Sequence, residues 1–171
     1  MAKSEWTKKQ KGQLLIEAMV AVSLMLVGLL GIFGVLSRSL GLSRVAADQF
    51  VAVNLASEGI EIAKNVFDSN IELGRAWNYG FTVGDTTAGY LSSELGDCDG
   101  EELYLDVDSG FYTCEALGGV RSKFSRTINT VTDPAVERVK VISTVSWTGR
   151  GGLVSSVTVE DHFYNWRDLR S

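Results

Sequence analysis

The chain has 171 residues, 45% of them hydrophobic and 22% charged, which is enough for one domain with a core and speaks against wholesale disorder. A net charge of −5 opposes the wrapping of nucleic acid, which needs clustered Lys and Arg. One histidine, His162, and two cysteines, Cys98 and Cys114, are too few for zinc fingers, zinc ribbons or haem attachment.

Charge is distributed unevenly along the chain. Residues 1–12 carry Lys3, Lys8, Lys9 and Lys11 against the single acid Glu5. Residues 18–36 then contain no charge, and only Ser23 breaks their apolar character. At ~1.5 Å per residue they span ~28 Å, close to the ~30 Å hydrocarbon core of a bilayer. The preceding lysines predict a cytoplasmic N-terminus, with Arg38 onward outside the cytoplasm. A cleaved secretory signal has an h-region of ~7–15 residues followed by a small-x-small site. Here the run is longer and ends in Leu36-Ser37-Arg38-Ser39-Leu40, so it reads as an anchor that stays.

Glu17 is out of place in a simple anchor. A carboxylate entering hydrocarbon costs ~2.5–3.5 kcal/mol at the bilayer centre and less near the interface. An anchor gains nothing from it, so Glu17 is expected to meet a positive partner. Gly12 stands five residues before it, directly after Lys11.

Together, Lys11-Gly12-Gln13-Leu14-Leu15-Ile16-Glu17-Ala18 resembles the class III signal of type IV pilins and pseudopilins. The resemblance covers about 25 residues, combining a basic leader, a glycine, a glutamate at the fifth mature position and a long apolar helix. It implies that a prepilin peptidase cuts between Gly12 and Gln13 on the cytoplasmic face. It also implies N-methylation of Gln13, although the family usually has phenylalanine or another apolar residue there, and a role for Glu17 in setting register during assembly.

Apolar periodicity continues beyond the membrane run. Leu42, Ala46, Gln49, Val53, Ala56, Ile60, Ala63 and Phe67 recur at steps of four and three, the period of a helix seam. The spacing predicts one helix over about 14–67, ~80 Å if unbroken, whose second half covers a folded domain. Lys64 and Asp68 make a possible i,i+4 pair, and Gly59 costs ~1 kcal/mol relative to Ala inside the helix. Gly28, Gly31 and Gly34 recur every three residues in the membrane run, where small side chains let helices approach closely.

From residue 68 glycines punctuate a polar stretch, and residues 103–107 and 111–114 read as a hairpin around Asp108-Ser109-Gly110. Residues 124–131 form a further strand. Val139, Val141, Val145 and Trp147 alternate with polar residues in another, and Val157, Val159 and Phe163 mark the last. The expected fold class is α+β. A long N-terminal helix, half membrane-embedded and half amphipathic, packs on a C-terminal antiparallel sheet of four or five strands. The domains expected are a leader at 1–12, the helix at 13–67 with its membrane part at about 14–37, and a sheet domain at 68–171. A variable loop occupies about 70–100. The order of elements also resembles the pilin family, and Phe124-Ser125-Arg126-Thr127-Ile128 with Asn165-Trp166-Arg167 resembles minor pilins of the pilus-modification type.

Cys98 and Cys114 lie in the part expected to be exported, where cysteine pairs usually oxidise, and a disulfide is expected. The acids near them draw attention to calcium, for which Asp97, Asp99 and Glu101 are the candidate ligands. They lack the EF-hand spacing, and a solvated acidic loop is expected instead. His162 beside Asp161 has no G-x-S-x-G nucleophile elbow to serve, so no catalysis and no cofactor are expected. Trp147 fits a core position, whereas Trp77, Tyr79 and Trp166 fit either subunit contacts or caps over the sheet edge.

The function expected from the resemblance is that of a structural subunit, a minor pilin of a type IV pilus or related filament. It would reside in the inner membrane and then in an extracellular filament. Its partners would be other pilin subunits, the prepilin peptidase and an assembly platform, with no nucleic acid. A pseudopilin of type II secretion or DNA uptake is the alternative within the family. A monomeric membrane-anchored ectodomain that binds or scaffolds is the alternative outside it, and Gly12 and Glu17 weigh against that reading because an anchor needs neither.

Overall fold

The structure, a computed structural model, describes residues 3–81, 84–88, 95–96, 98, 100–114, 116 and 118–165, with side chains from residue 12 onward except that of residue 150. The elements are a helix, α1 (Lys3–Glu72), and strands β1 (Gly84–Thr86), β2 (Glu102–Asp106), β3 (Tyr112–Thr113), β4 (Gly119–Asp133), β5 (Arg138–Thr148) and β6 (Val154–Tyr164). The fold is α+β, as the sequence leads one to expect. Two compact units divide the chain, Met1–Ala46 and Ala47–Ser171.

The first unit is helix throughout its described residues, and every side chain from 12 to 40 is exposed. Helix formation here starts earlier than the expected 14, because nothing in residues 3–13 breaks it: there is no proline, and Lys and Gln are good helix formers.

In the second unit the helix continues and ends later than expected, at Glu72 rather than 67. Its stop is a Schellman motif. Gly74 adopts φ +66°, its N–H donates to the Ile71 carbonyl (3.2 Å), and Arg75 N–H donates to Asn70 (2.8 Å). The buried Asn70 side chain then donates to the Tyr79 carbonyl (2.7 Å), pinning the chain that follows.

The sheet is antiparallel with order β3-β2-β4-β5-β6, and β1 pairs with β4 off that path. β1 falls in the expected loop and raises the strand count from four or five to six. β4 reaches from 119 to 133, longer at both ends than expected, because one side pairs with β5 while the other pairs first with β2 and then with β1. Strict alternation of burial along β5 places Val139, Val141, Ser143, Val145 and Trp147 on the inner face.

The helix half from Ala47 covers that face. Ala52, Leu55 and Ala56 share a cluster with Leu103, Phe124, Val145 and Trp147, while Ile60, Ala63, Val66 and Phe67 share one with Ile128, Val139, Val141 and Phe163. This half-helix therefore lies along the strands, in the direction of β4 and β6. Between the two apolar clusters sits a polar layer containing Arg126 and Ser143.

The expected seam holds only in part. Ala56, Ile60, Ala63 and Phe67 are buried, but Leu42, Ala46, Gln49 and Val53 are exposed. Burial begins only at Ala52 and runs through Leu55, Ala56, Gly59, Ile60, Ala63, Val66, Phe67 and Asn70, because no side chain of residues 42–50 has the sheet beneath it. Lys64 pairs with Glu61 (4.0 Å) rather than Asp68, both ends exposed.

Candidate assembly surfaces

Among the described residues, one helix is long and apolar enough to cross a membrane. Its most apolar stretch has mean hydropathy 2.6, and none of that stretch is buried. Ser23 satisfies its own hydroxyl by donating to the Met19 (2.7 Å) or Val20 (3.0 Å) carbonyl, so it adds little cost to membrane entry. Glu17 is the one charged side chain between residues 12 and 37, set among Leu14, Leu15, Ile16, Met19 and Val20, all more than half exposed. Open space surrounds Gly12, Gly28, Gly31 and Gly34: a Cβ at any of them would meet nothing within 4 Å. Neither packing nor backbone geometry within the chain calls for glycine at these positions.

Cys98 and Cys114 form a disulfide with Cα atoms 5.7 Å apart. It ties the segment after β1 to the residue following β3, and the Thr87 hydroxyl donates to the Cys98 carbonyl (2.9 Å). Of the candidate calcium ligands, Asp97 and Asp99 lie outside the described residues. Glu101 is exposed, and its carbonyl accepts the Arg126 N–H (2.8 Å). No group of three His, Cys, Asp or Glu among the described residues is placed to hold a metal ion.

His162 sits on the outer face of β6, where its Nε2 lies 3.1 Å from Glu160. Glu160 also holds Lys140 at 2.7 Å, and that hydrogen bond above all keeps its carboxyl below the ordinary glutamate value. Asp161 does not touch the His162 ring. It accepts the His162 backbone N–H instead (2.8 Å).

Trp147 is in the core, stacked at an angle on Phe124 (6.1 Å). Trp77 packs edge-on against Phe67 (6.0 Å) as a cap over the core, and exposed Tyr79 receives the Arg75 guanidinium on its ring (5.2 Å). Trp166 and Arg167 lie outside the described residues.

Arg126 is what sequence reasoning missed. Its side chain is 1% exposed, at the centre of the inner face. Nη1 donates to the Leu55 carbonyl and to Glu58 Oε1, both 3.1 Å, and Nη2 donates to the Ala88 carbonyl at 2.6 Å. One cation thus joins helix, sheet and the segment after β1. A signal was present: Arg126 holds the same parity as Phe124 and Ile128, the inward positions of its strand.

Protein-family models, curated proteins and solved structures were each compared with the chain, and none of them matches it.

Proposed function

We infer that the chain is a structural subunit, a minor pilin, of a filament of the type IV pilus kind. The observation that carries the reading is the lone carboxylate Glu17, five residues beyond Gly12, exposed on an apolar helix whose residues 18–36 lack charge. An anchor in lipid has no use for such a charge, whereas a bundle of identical helices does. After a prepilin peptidase removes residues 1–12 on the cytoplasmic side, each subunit has a new ammonium at Gln13. In the bundle the ammonium of one subunit meets Glu17 of its neighbour, so the pair sets register as the helices leave the inner membrane and pack together. Glycines 28, 31 and 34, which the fold does not require, fit close helix approach in that bundle. The sheet domain, on the far side of the membrane and braced by its disulfide, is displayed on the filament surface.

The test is the N-terminal residue of the chain recovered from membranes that contain a prepilin peptidase. The reading requires Gln13. An intact Met1, or a cut beyond residue 36, overturns it. Glu17→Ala separates processing from assembly: cleavage at Gly12 is expected to persist while the fraction of subunit in sheared filaments falls at least tenfold.

A further inference from the structure

The acceptors of Arg126 divide between the helix and one other place in the fold. Nη1 serves the helix alone, through the Leu55 carbonyl and Glu58 Oε1. Nε has no acceptor among the described residues. The Ala88 carbonyl, 2.6 Å from Nη2, is thus the one acceptor among them that this buried side chain finds off the helix.

Ala88 is 2% exposed and belongs to no strand. On one side it follows β1, which is three residues long and pairs only with β4. On the other it is held through Thr87. The Thr87 carbonyl accepts the Gly96 N–H (2.9 Å), and its hydroxyl donates to the Cys98 carbonyl (2.9 Å). Cys98 is in turn bonded to Cys114, the residue after β3. A line of contacts therefore joins the bridge to the guanidinium through Cys98, Thr87 and Ala88, all of it within the unit Ala47–Ser171.

A buried guanidinium stays out of water only while its donors are matched. Without the Ala88 oxygen, Nη2 would join Nε as an unmet donor. The remaining acceptors would both be on the helix, and one of them, Glu58, is 30% exposed. Water meets such donors most readily where helix and sheet part at this polar layer.

We propose that the Cys98–Cys114 bridge is a redox latch for the half-helix. Oxidised, it keeps the Ala88 carbonyl on Arg126 and the half-helix on the sheet. Reduced by a dithiol, it frees the segment after β1 and loosens the half-helix. The dithiol acts by exchange: one thiolate attacks a bridge sulfur to give a mixed disulfide, which the second thiolate then resolves. The dithiol leaves as an internal disulfide, and its two electrons, with two protons, end on the Cys98 and Cys114 thiols. Both cysteines are half-buried, within reach of a small dithiol.

This differs from a plain cross-link in what is released. A cross-link that acts only on the unfolded chain changes the stability of helix and sheet alike. The latch adds a local opening, in which the half-helix leaves while β4, β5 and β6 stay paired.

The experiment follows amide hydrogen exchange by mass spectrometry in the full chain in detergent micelles, with and without dithiothreitol. Reduction is expected to speed exchange of helix residues 52–63 by at least ten times the factor by which it speeds β5. Equal factors for the two, or an unchanged helix, overturn the proposal. Thr87→Val keeps the bridge and removes the hydroxyl bond to Cys98. In this oxidised variant the helix should exchange at least threefold faster than in the parent, with β5 unchanged; a helix as slow as the parent's overturns the line through Thr87 and the latch with it. The double variant Cys98→Ser, Cys114→Ser should show the fast helix with or without dithiothreitol. A helix that still responds to the dithiol in that variant would place the effect outside the bridge and overturn the proposal.

Discussion

A Cβ placed on Gly59 would lie 2.3 Å from the Ser143 hydroxyl oxygen and 3.2 Å from Arg126 Cδ. Helix and β5 thus touch where the helix has no side chain, beside the buried guanidinium. The glycine that looks like a helix defect in the sequence is the notch that admits the polar layer.

Gly59→Ala is therefore expected to destabilise the domain by about 1–3 kcal/mol, the cost of overpacking, although alanine improves helix propensity by ~1 kcal/mol. Adding Ser143→Ala should recover only part of the loss, because Ser143 Cβ and Arg126 Cδ remain close. Urea unfolding of the single and double variants measures both. A more stable Gly59→Ala protein would contradict the close approach.

Removing the carboxylate partner of Arg126 is the second test. The Glu58 side chain is 30% exposed, so the pair is partly screened, and Glu58→Ala should cost about 1–3 kcal/mol rather than the larger penalty of a fully buried pair. Glu58→Gln, which keeps an acceptor, should cost less. An unfolding midpoint unchanged in both variants would mean that the two backbone carbonyls alone satisfy the guanidinium.

Reducing the Cys98–Cys114 bridge should lower stability by ~3 kcal/mol, the chain-entropy value for a loop of this size. Thermal unfolding with and without reductant reads it directly. No change would show that pairing of β2 with β3 already closes the loop.

Asp106 lies at the tip of that hairpin, where the Ser109 hydroxyl (2.6 Å) and then the Asp108 N–H (3.0 Å) hold its carboxyl below the ordinary aspartate value. Glu160 is held low in the same sense, chiefly by its hydrogen bond to Lys140. Because both folded-state values are depressed, their contributions are present above the ordinary carboxylate range and are lost as pH falls through the folded values. Carboxyl NMR titration should give low midpoints for both, and Ser109→Ala should move Asp106 upward. A midpoint for Asp106 at the ordinary aspartate value would remove the Ser109 contact from solution.

The strands with one face toward the core could be read from the sequence: β5 and the inner positions Val157, Val159 and Phe163 of β6 lie where alternation puts them, whereas the β2–β3 hairpin was marked by its Asp108-Ser109-Gly110 turn. β1 could not be read, since three residues, Gly-Asp-Thr, hold no hydrophobic period and exist as a strand only because β4 extends past β2. The helix seam was misplaced at Leu42, Ala46, Gln49 and Val53, where a heptad count disregards what lies beneath each turn. Arg126 escaped notice because a charge in an alternating strand reads as outward, and its three acceptors come from residues 55, 58 and 88, far away in sequence. Glu17 was legible for the opposite reason: its meaning is local, one charge in an apolar run.

The half-helix that covers the sheet lies along β4 rather than across it, and this governs how the domain meets a mechanical load. A load along the axis of this half-helix runs parallel to the strands beneath. The Arg126 bonds to Leu55 and Glu58 and the notch at Gly59 then face the force side by side, in shear, instead of parting one after another as a zipper does. Shared load raises the force at which such contacts rupture. Within this unit the half-helix is thus best held against a load along its own axis.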